Sequence, residues 1–537
     1  MRFAALLFLV FATAPLLAQS EYLGRYEQSD GNVVLVTNRG GVLIVRPLFW
    51  RAVQELVPDG PDVFHSAERP ERKATFGRDT NGRVVSLTMN GIGHDAPMPR
   101  LMHDRPVPAE LLMNGKPREA ARAVLARKDA VDVAIGFGNF IQRALPTKWH
   151  AAAEFLGEIV KKHPDDARLR VTHGALLVAD GRSGEARKAY VRALALDAKN
   201  ESAVTALRML GSDDLGALFA KPARAELEGV RERWARRDLS PRDVRLVHRG
   251  TMQLGHVAAE VRIVSHRVHG SLHYGAVIVP KGAKGAPVIV EAKGVSPSYF
   301  ALDLSRVPAS AALLEERQKD FIYFLPSYRG EVLQFDGKTW TSEGDRTDVW
   351  DGATDDFLAF AAAALTVTPE ADGERTCAFG RSRGGTVAIL AGIRDRRFDC
   401  VVSWAGPADH LFEMTQSGWT PRQRAAEALR SKSDVFGIGG QFRETFLMKD
   451  RSVAETRLHV IASSPLWFAE GLPPAQVHYG EDDSIVEARN GRALLKRNPR
   501  IALVLHREAG HDLDKPLAWR ETRRFIVQWL VQRGEGE

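Results

Sequence analysis

Cysteine is nearly missing: Cys377 and Cys400 are the two in 537 residues. No disulfide framework can hold such a fold together. Both cysteines are expected near the starts of neighbouring strands, as two buried thiols, with a bridge as the alternative in an oxidising compartment. Apolar runs long enough to cross a bilayer are also lacking, so no membrane span is expected. Neither sign of charge dominates by segregation, because 74 Lys and Arg are interspersed with 67 Asp and Glu. The net charge of +7 therefore reads as solvated surface, and no nucleic-acid partner is expected. Nothing in the composition marks disorder. With 44% hydrophobic and 26% charged residues, the chain is globular, and its length suits two to four domains.

What is present begins with Arg2 followed by an apolar stretch, Phe3 to Val10 and on through Phe11, Leu16 and Leu17, ending in Ala18. Residues 1–18 are read as a signal peptide, which places the mature chain in the periplasm or outside the cell. Residues 19–104 alternate apolar and polar positions between turn signals such as Asn38-Arg39-Gly40-Gly41 and Asp79-Thr80-Asn81-Gly82. That pattern predicts a small antiparallel β accessory domain, similar to those carried by secreted bacterial hydrolases. It holds no Asp, His or Cys cluster with metal-site spacing.

The period changes to 3.6 over residues 105–215. Gly174, Gly181, Ala186, Tyr190 and Ala193 fall where tetratricopeptide repeats place small, turn and aromatic residues, and a 34-residue step back finds Ala152, Leu156, Ile159 and Pro164. This tetratricopeptide-like helical segment is read first as a spacer. Its second reading is a surface for a protein partner, with the rest of the chain as a platform.

From 225 to 537 strands alternate with helices, which predicts a mostly parallel sheet covered on both faces. Eight strands are expected, the fifth at Thr376 to Phe379, and an insertion at about 410–458 sits where a lid would lie. The fold class is α/β, with a C-terminal α/β-hydrolase domain. Its centre is Gly380-Arg381-Ser382-Arg383-Gly384, a Gly-x-Ser-x-Gly turn between a buried strand and an apolar helix. Such a turn lifts the Ser382 hydroxyl off the sheet at the positive end of the following helix.

A serine needs a base, and the base needs an orienting acid. In this fold both follow late strands, in the order Ser, acid, His. After the Val477 strand comes Gly480-Glu481-Asp482-Asp483, which nominates Asp483, with Asp482 and Glu481 as runners-up. After the Ile501 strand comes Gly510-His511, which nominates His511 over His506. The backbone N–H of Arg383 is one expected oxyanion donor. The loop Lys293-Gly294 supplies the other, and a side-chain donor such as Tyr299 is the alternative. Arg329, Arg381 and Arg383 are read two ways, as a clamp for a substrate carboxylate or phosphate and as loop pins paired with Asp348, Asp351 or Glu331. Tyr328 and the insertion's Trp419 complete the expected substrate contacts.

Residues from about 250 to 535 resemble the catalytic domain of the prolyl oligopeptidase family of serine peptidases. The resemblance is carried by Pro326-Ser327-Tyr328-Arg329-Gly330, Gly380 to Gly385, Ser464-Pro465-Leu466, Gly480 with Asp483, and Gly510-His511. It implies acyl transfer to water with no metal and no organic cofactor, on a small peptide or ester substrate. Two departures stand out: Ala292-Lys293-Gly294-Val295 replaces the usual His-Gly-Gly loop, and no β-propeller blade repeat precedes the domain. An esterase acting on small acyl groups therefore stands beside the peptidase reading.

Overall fold

The computed structural model describes residues 20–29, 31–49, 54–67, 72–90, 94–102, 106–210, 220–294, 301–305, 307–345, 348–410, 452–483, 485–513 and 515–532. Residues 1–18, read above as a signal peptide, and Tyr299, Trp419 and most of the expected lid lie outside them. The chain forms two compact units, residues 1–210 and 211–537.

In the first unit, eight strands follow one another as an antiparallel meander: β1 (Gly24–Glu27), β2 (Val33–Arg39), β3 (Val42–Pro47), β4 (Gln54–Pro58), β5 (Val63–Ser66), β6 (Lys73–Arg78), β7 (Val84–Met89) and β8 (His94–Pro99). A bridge between Tyr26 and Arg100 brings the two ends together, so the sheet is nearly a barrel. Its hairpins form where the turn residues demand them. At the β6–β7 turn the Asp79 carboxylate accepts from the N–H groups of Asn81 and Arg83, and Gly82 supplies the left-handed φ of 77°. Tyr26, Val34, Val36, Leu43, Val45 and Phe76 fill the interior.

Among the described residues seven α-helices follow: α1 (Pro108–Met113), α2 (Pro117–Leu125), α3 (Ala130–Ala144), α4 (Trp149–Lys162), α5 (Ala167–Ala179), α6 (Ser183–Leu196) and α7 (Glu201–Leu210). The Asp166 carboxylate caps α5 by accepting from the Leu169 N–H at 3.0 Å. Gly174 on α5 lies against the Tyr190 ring of α6, and a Cβ there would come within 2.9 Å of it. Small residues thus set how closely these helices approach. Phe49 packs on Phe137 and Phe140 of α3, joining β and α parts within the unit.

The second unit opens with α8 (Arg224–Ala235) and is built on a nine-stranded sheet. Its strands are β9 (Arg242–Leu254), β10 (Val257–Val268), β11 (Ser271–Pro280), β12 (Ala286–Ala292), β14 (Ile322–Pro326), β17 (Ala371–Arg381), β18 (Phe398–Trp404), β19 (Ala475–Gly480) and β20 (Ala502–His506). They lie in the order β20-β19-β18-β17-β12-β14-β11-β10-β9, and β13 (Ala301–Asp303), β15 (Val332–Phe335) and β16 (Lys338–Thr341) form a small separate sheet. The six strands from β14 through β20 run parallel, and β11, β10 and β9 add antiparallel pairs. This is the α/β-hydrolase plan with one strand beyond the eight expected. The extra strand, β9, sits at the sheet edge, and its residues alternate between exposed and half-buried, with no fully buried stretch to reveal it.

Among the described residues the unit also holds helices α9 (Ala309–Leu314), α10 (Asp351–Thr366), α11 (Arg383–Arg394), α12 (Val453–Ala462), α13 (Arg489–Arg497) and α14 (Lys515–Val527). Both faces of the sheet are buried, one under Phe357, Phe360, Val387 and Ile389, the other under Leu313, Leu314, Ala518 and Ile526. The chain leaves β12 toward β14 and then returns to β17 on the other side. A crevice forms at such a reversal, outside the carboxyl ends of the strands.

The expectation of two thiols is overturned, since Cys377 and Cys400 are disulfide-bonded. They face each other across adjacent parallel strands in register. Their Cα atoms are 4.7 Å apart, within the span a bridge needs.

The first turns of α10 are tied down by ion pairs. Asp351 and Asp355 share Arg237 and Arg394, and Trp234 donates to Asp351 at 2.9 Å. Burial by itself would raise the Asp355 carboxyl, but His269, Arg394 and Arg237 outweigh it and hold it well below its ordinary 3.8. A depressed carboxylate contributes stability that is complete above its unfolded value and is lost as pH falls toward the folded one. Urea midpoints of the protein are thus expected to drop steeply below about pH 4. An Arg394→Met variant should be less stable at neutral pH and show a flatter acid limb, because one of the groups that depress the carboxyl is gone while His269 and Arg237 remain.

Candidate active site

The carboxyl ends of β12, β17, β19 and β20 converge on Ser382. The residue follows β17 directly, with φ 54° and ψ −122°, a conformation costing a non-glycine residue about 1–3 kcal/mol. Close packing enforces it. A Cβ on Gly380 would collide with the Gly384 carbonyl, and one on Gly384 with the Ala292 carbonyl. The Ser382 N–H donates to the Trp404 carbonyl of β18 at 2.7 Å, which fixes the turn to the sheet. The serine then heads α11 as its N-cap.

His511 reaches Ser382 from the loop after β20. Its Nε2 lies 3.0 Å from Ser382 Oγ, and its Nδ1 lies 2.8 Å from Asp483 Oδ2. An ionised carboxylate can only accept, so the proton sits on Nδ1 and leaves Nε2 free to accept from the serine hydroxyl. Asp483 is held in turn, its Oδ1 accepting from the N–H groups of Ile485 (2.8 Å) and Val486 (2.9 Å). Its side chain is fully buried and that of His511 is one-fifth exposed.

The acid and histidine loops are zipped together. The N–H groups of Glu481 and Asp482 donate to the carbonyls of His506 and Ala509. Gly480 fits under Ala509 and Gly510, whose carbonyl oxygens a Cβ would strike.

The structure separates the chosen residues from their runners-up. Glu481 and Asp482 are exposed, and Glu481 pairs with Arg492. His506 is buried and stacks on His478, with its Nε2 3.0 Å from His478 Nδ1.

Arg383 is the first residue of α11, so its N–H lacks an intrahelical partner and sits beside Ser382. Gly294 comes in from the β12 end. A Cβ built on it would lie 3.8 Å from the Ser382 Cβ and 2.8 Å from the Arg381 carbonyl. The side chain of Lys293 turns inward and donates to Glu331 at 3.2 Å. Arg383 donates to the other oxygen of the same carboxylate at 2.5 Å, and its guanidinium lies 4.8 Å from the centre of the Tyr328 ring.

Two expected substrate contacts face inward instead. Tyr328 is 1% exposed beneath Arg383. Arg329 is spent on Asp356, on Asp348 and on the Gly352 carbonyl, so it pins a loop. Both follow β14 into the interior, where an arginine requires carboxylates and an aromatic ring requires packing. Arg381 is half-buried and donates to Asp512, next to His511. Asp356 and Asp512, the carboxylates that hold Arg329 and Arg381, carry no motif in the sequence. Among the described residues no group of His, Cys, Asp or Glu could hold a metal, and no helix is long and apolar enough to cross a membrane.

Residues 307–535 match the model of the prolyl oligopeptidase family. Similar solved structures include an acetyl xylan esterase from Paenibacillus sp. R4, at 16% identity and TM-score 0.41, covering 58% of this chain and 96% of that one. An acylaminoacyl peptidase from Pyrococcus horikoshii matches at 18% identity and TM-score 0.37, covering 51% and 42%. A puromycin-hydrolyzing peptidase from Mycobacterium tuberculosis matches at 12% identity and TM-score 0.37, covering 95% and 54%. Among curated proteins none matches the sequence.

Proposed function

We propose, from the premise that the chain is a serine hydrolase whose residues 307–535 form a prolyl oligopeptidase family domain, that Ser382, His511 and Asp483 cleave acyl bonds through an acyl-enzyme. The observation carrying this reading is His511 standing between Ser382 Oγ at 3.0 Å and Asp483 at 2.8 Å. Ser382 Oγ attacks the substrate carbonyl while His511 Nε2 takes its proton. Asp483 stays ionised and stabilises the imidazolium. The carbonyl oxygen, now negative, is met by the Arg383 N–H and by the loop at Gly294. His511 then returns the proton to the leaving group. Water enters, loses a proton to His511, and releases the acid.

The substrate is a small ester or a short peptide. An amine leaves only when protonated, a step in which the general acid is worth about 10²–10⁴-fold, whereas an activated ester needs little such help. Short-chain p-nitrophenyl esters are therefore expected to turn over faster than aminoacyl or dipeptidyl amides. A side-by-side screen on the purified mature chain tests this, and amide turnover exceeding ester turnover would reverse the ranking. The reading also places the enzyme in the periplasm or outside the cell. Its support is the apolar stretch after Arg2 and the bridge between Cys377 and Cys400.

A further inference from the structure

Behind the turn at Ser382 lies a charged cluster that the triad does not use. Glu331 is 1% exposed, and its two carboxylate oxygens accept from different cations, Arg383 at 2.5 Å and Lys293 at 3.2 Å. The partners come from opposite sides of the crevice, Lys293 from the end of β12 and Arg383 from the start of α11. They are also the two residues whose backbone borders the place where an oxyanion would form. Arg383 is 1% exposed, and its Nε and Nη2 are buried with no hydrogen-bond partner. Two cations share one anion, so an excess positive charge is left in a dry place. That arrangement is costly for stability alone, since a buried guanidinium normally requires all its donors met. It does suit a neighbour that becomes negative only during reaction.

We propose that Glu331 is a positioning residue of the oxyanion hole, clamping Arg383 and Lys293 so that their backbones and their surplus positive charge face the developing oxyanion. The inference rests on Ser382 being the nucleophile. Held this way, the donors need no reorganisation as charge appears, and the field of the cluster is little screened. The groups facing the Lys293 ammonium are Glu331 and Arg383. Burial, the largest influence, pushes it down to about 8, with Glu331 opposing and Arg383 reinforcing the shift. Lys293 thus loses its charge as pH rises through that value, and turnover should fall with it. Without Glu331 the fall should come at lower pH.

The test compares the mature wild type with Glu331→Gln and Lys293→Met, using a short-chain p-nitrophenyl ester and end-point labelling of Ser382 by a fluorophosphonate. Glu331→Gln is expected to lower kcat about 10- to 100-fold, less than the loss of an oxyanion donor outright, with KM within about threefold. Its alkaline limb should move to lower pH, and labelling should remain stoichiometric. Lys293→Met should abolish the alkaline limb near pH 8, leaving a rate near the wild-type high-pH plateau. It also decides the matter should Glu331→Gln fail to fold. An unchanged kcat in a folded Glu331→Gln, or an alkaline limb that survives in Lys293→Met, overturns the proposal while labelling is intact. Wild type that fails to label at Ser382 overturns the underlying reading instead.

Discussion

Replacing Ser382 with Ala is expected to lower kcat by about 10⁶-fold, which is about 8 kcal/mol of transition-state stabilisation. The size follows from the step removed. Without Oγ no acyl-enzyme forms, and His511 and the oxyanion donors can act only on a water that nothing positions. Residual turnover of about 10³–10⁴ over water would then measure what those donors and substrate binding contribute. The fold should survive, because the turn is held by the Ser382 N–H to the Trp404 carbonyl and by the packing of Gly380 and Gly384, none of which needs the hydroxyl. The checks are ester turnover, fluorophosphonate labelling and a thermal melt. Alanine keeps the same strained φ of 54°, so the melting temperature should change little. Labelling that persists in Ser382→Ala would show that another residue is the nucleophile.

The second large effect is expected from Asp483→Asn, a loss of about 10⁴-fold in kcat, or about 5.5 kcal/mol. Asparagine keeps the shape and can still accept from Ile485 and Val486 through its carbonyl oxygen. The amide nitrogen then faces His511 Nδ1 and donates to it. That pairing moves the imidazole proton onto Nε2, where it meets the serine hydroxyl donor to donor, and the base is lost. Charge and tautomer are both wrong while the geometry is kept. Asp482→Asn is the control. Asp482 is exposed and its backbone, not its carboxylate, supports the histidine loop, so turnover should fall less than about twofold. If Asp482→Asn were the damaging change, the acid would have been misassigned.

Much of the site was legible because its chemistry imposes local sequence. A turn from strand to helix that leaves no room for a Cβ must be written with glycine, so Gly380 and Gly384 mark Ser382 from the sequence outward. The third position after Gly480 is readable for the same reason, since a Cβ on Gly480 would strike the Ala509 and Gly510 carbonyls, whereas a Cβ on Gly510 would meet nothing within 4 Å. Partnerships that depend on register are not local. Cys377 meets Cys400 only because β17 and β18 shift register by one residue between Thr376 and Cys377, a bulge without which Cys377 would stand opposite Asp399. Arg329 could be foreseen as a pin, but its main partner, Asp356, lies 27 residues away on α10 and nothing in the intervening sequence points to it. The edge strand β9 escaped because it lacks a continuous apolar run.

The sequence by itself determined the α/β class of residues 225–537, the order Ser382, Asp483, His511 and the change from β to α character near residue 105. Each is written in hydrophobic period and in turn residues, which act over a few positions. Only the tertiary structure decided that Glu331 holds Lys293 as well as Arg383, that Tyr328 faces inward, that Arg329 pins to Asp356, and that the two cysteines pair. Those outcomes depend on which strand ends converge and which cations must share a buried carboxylate, and burial makes that choice only after distant segments have met.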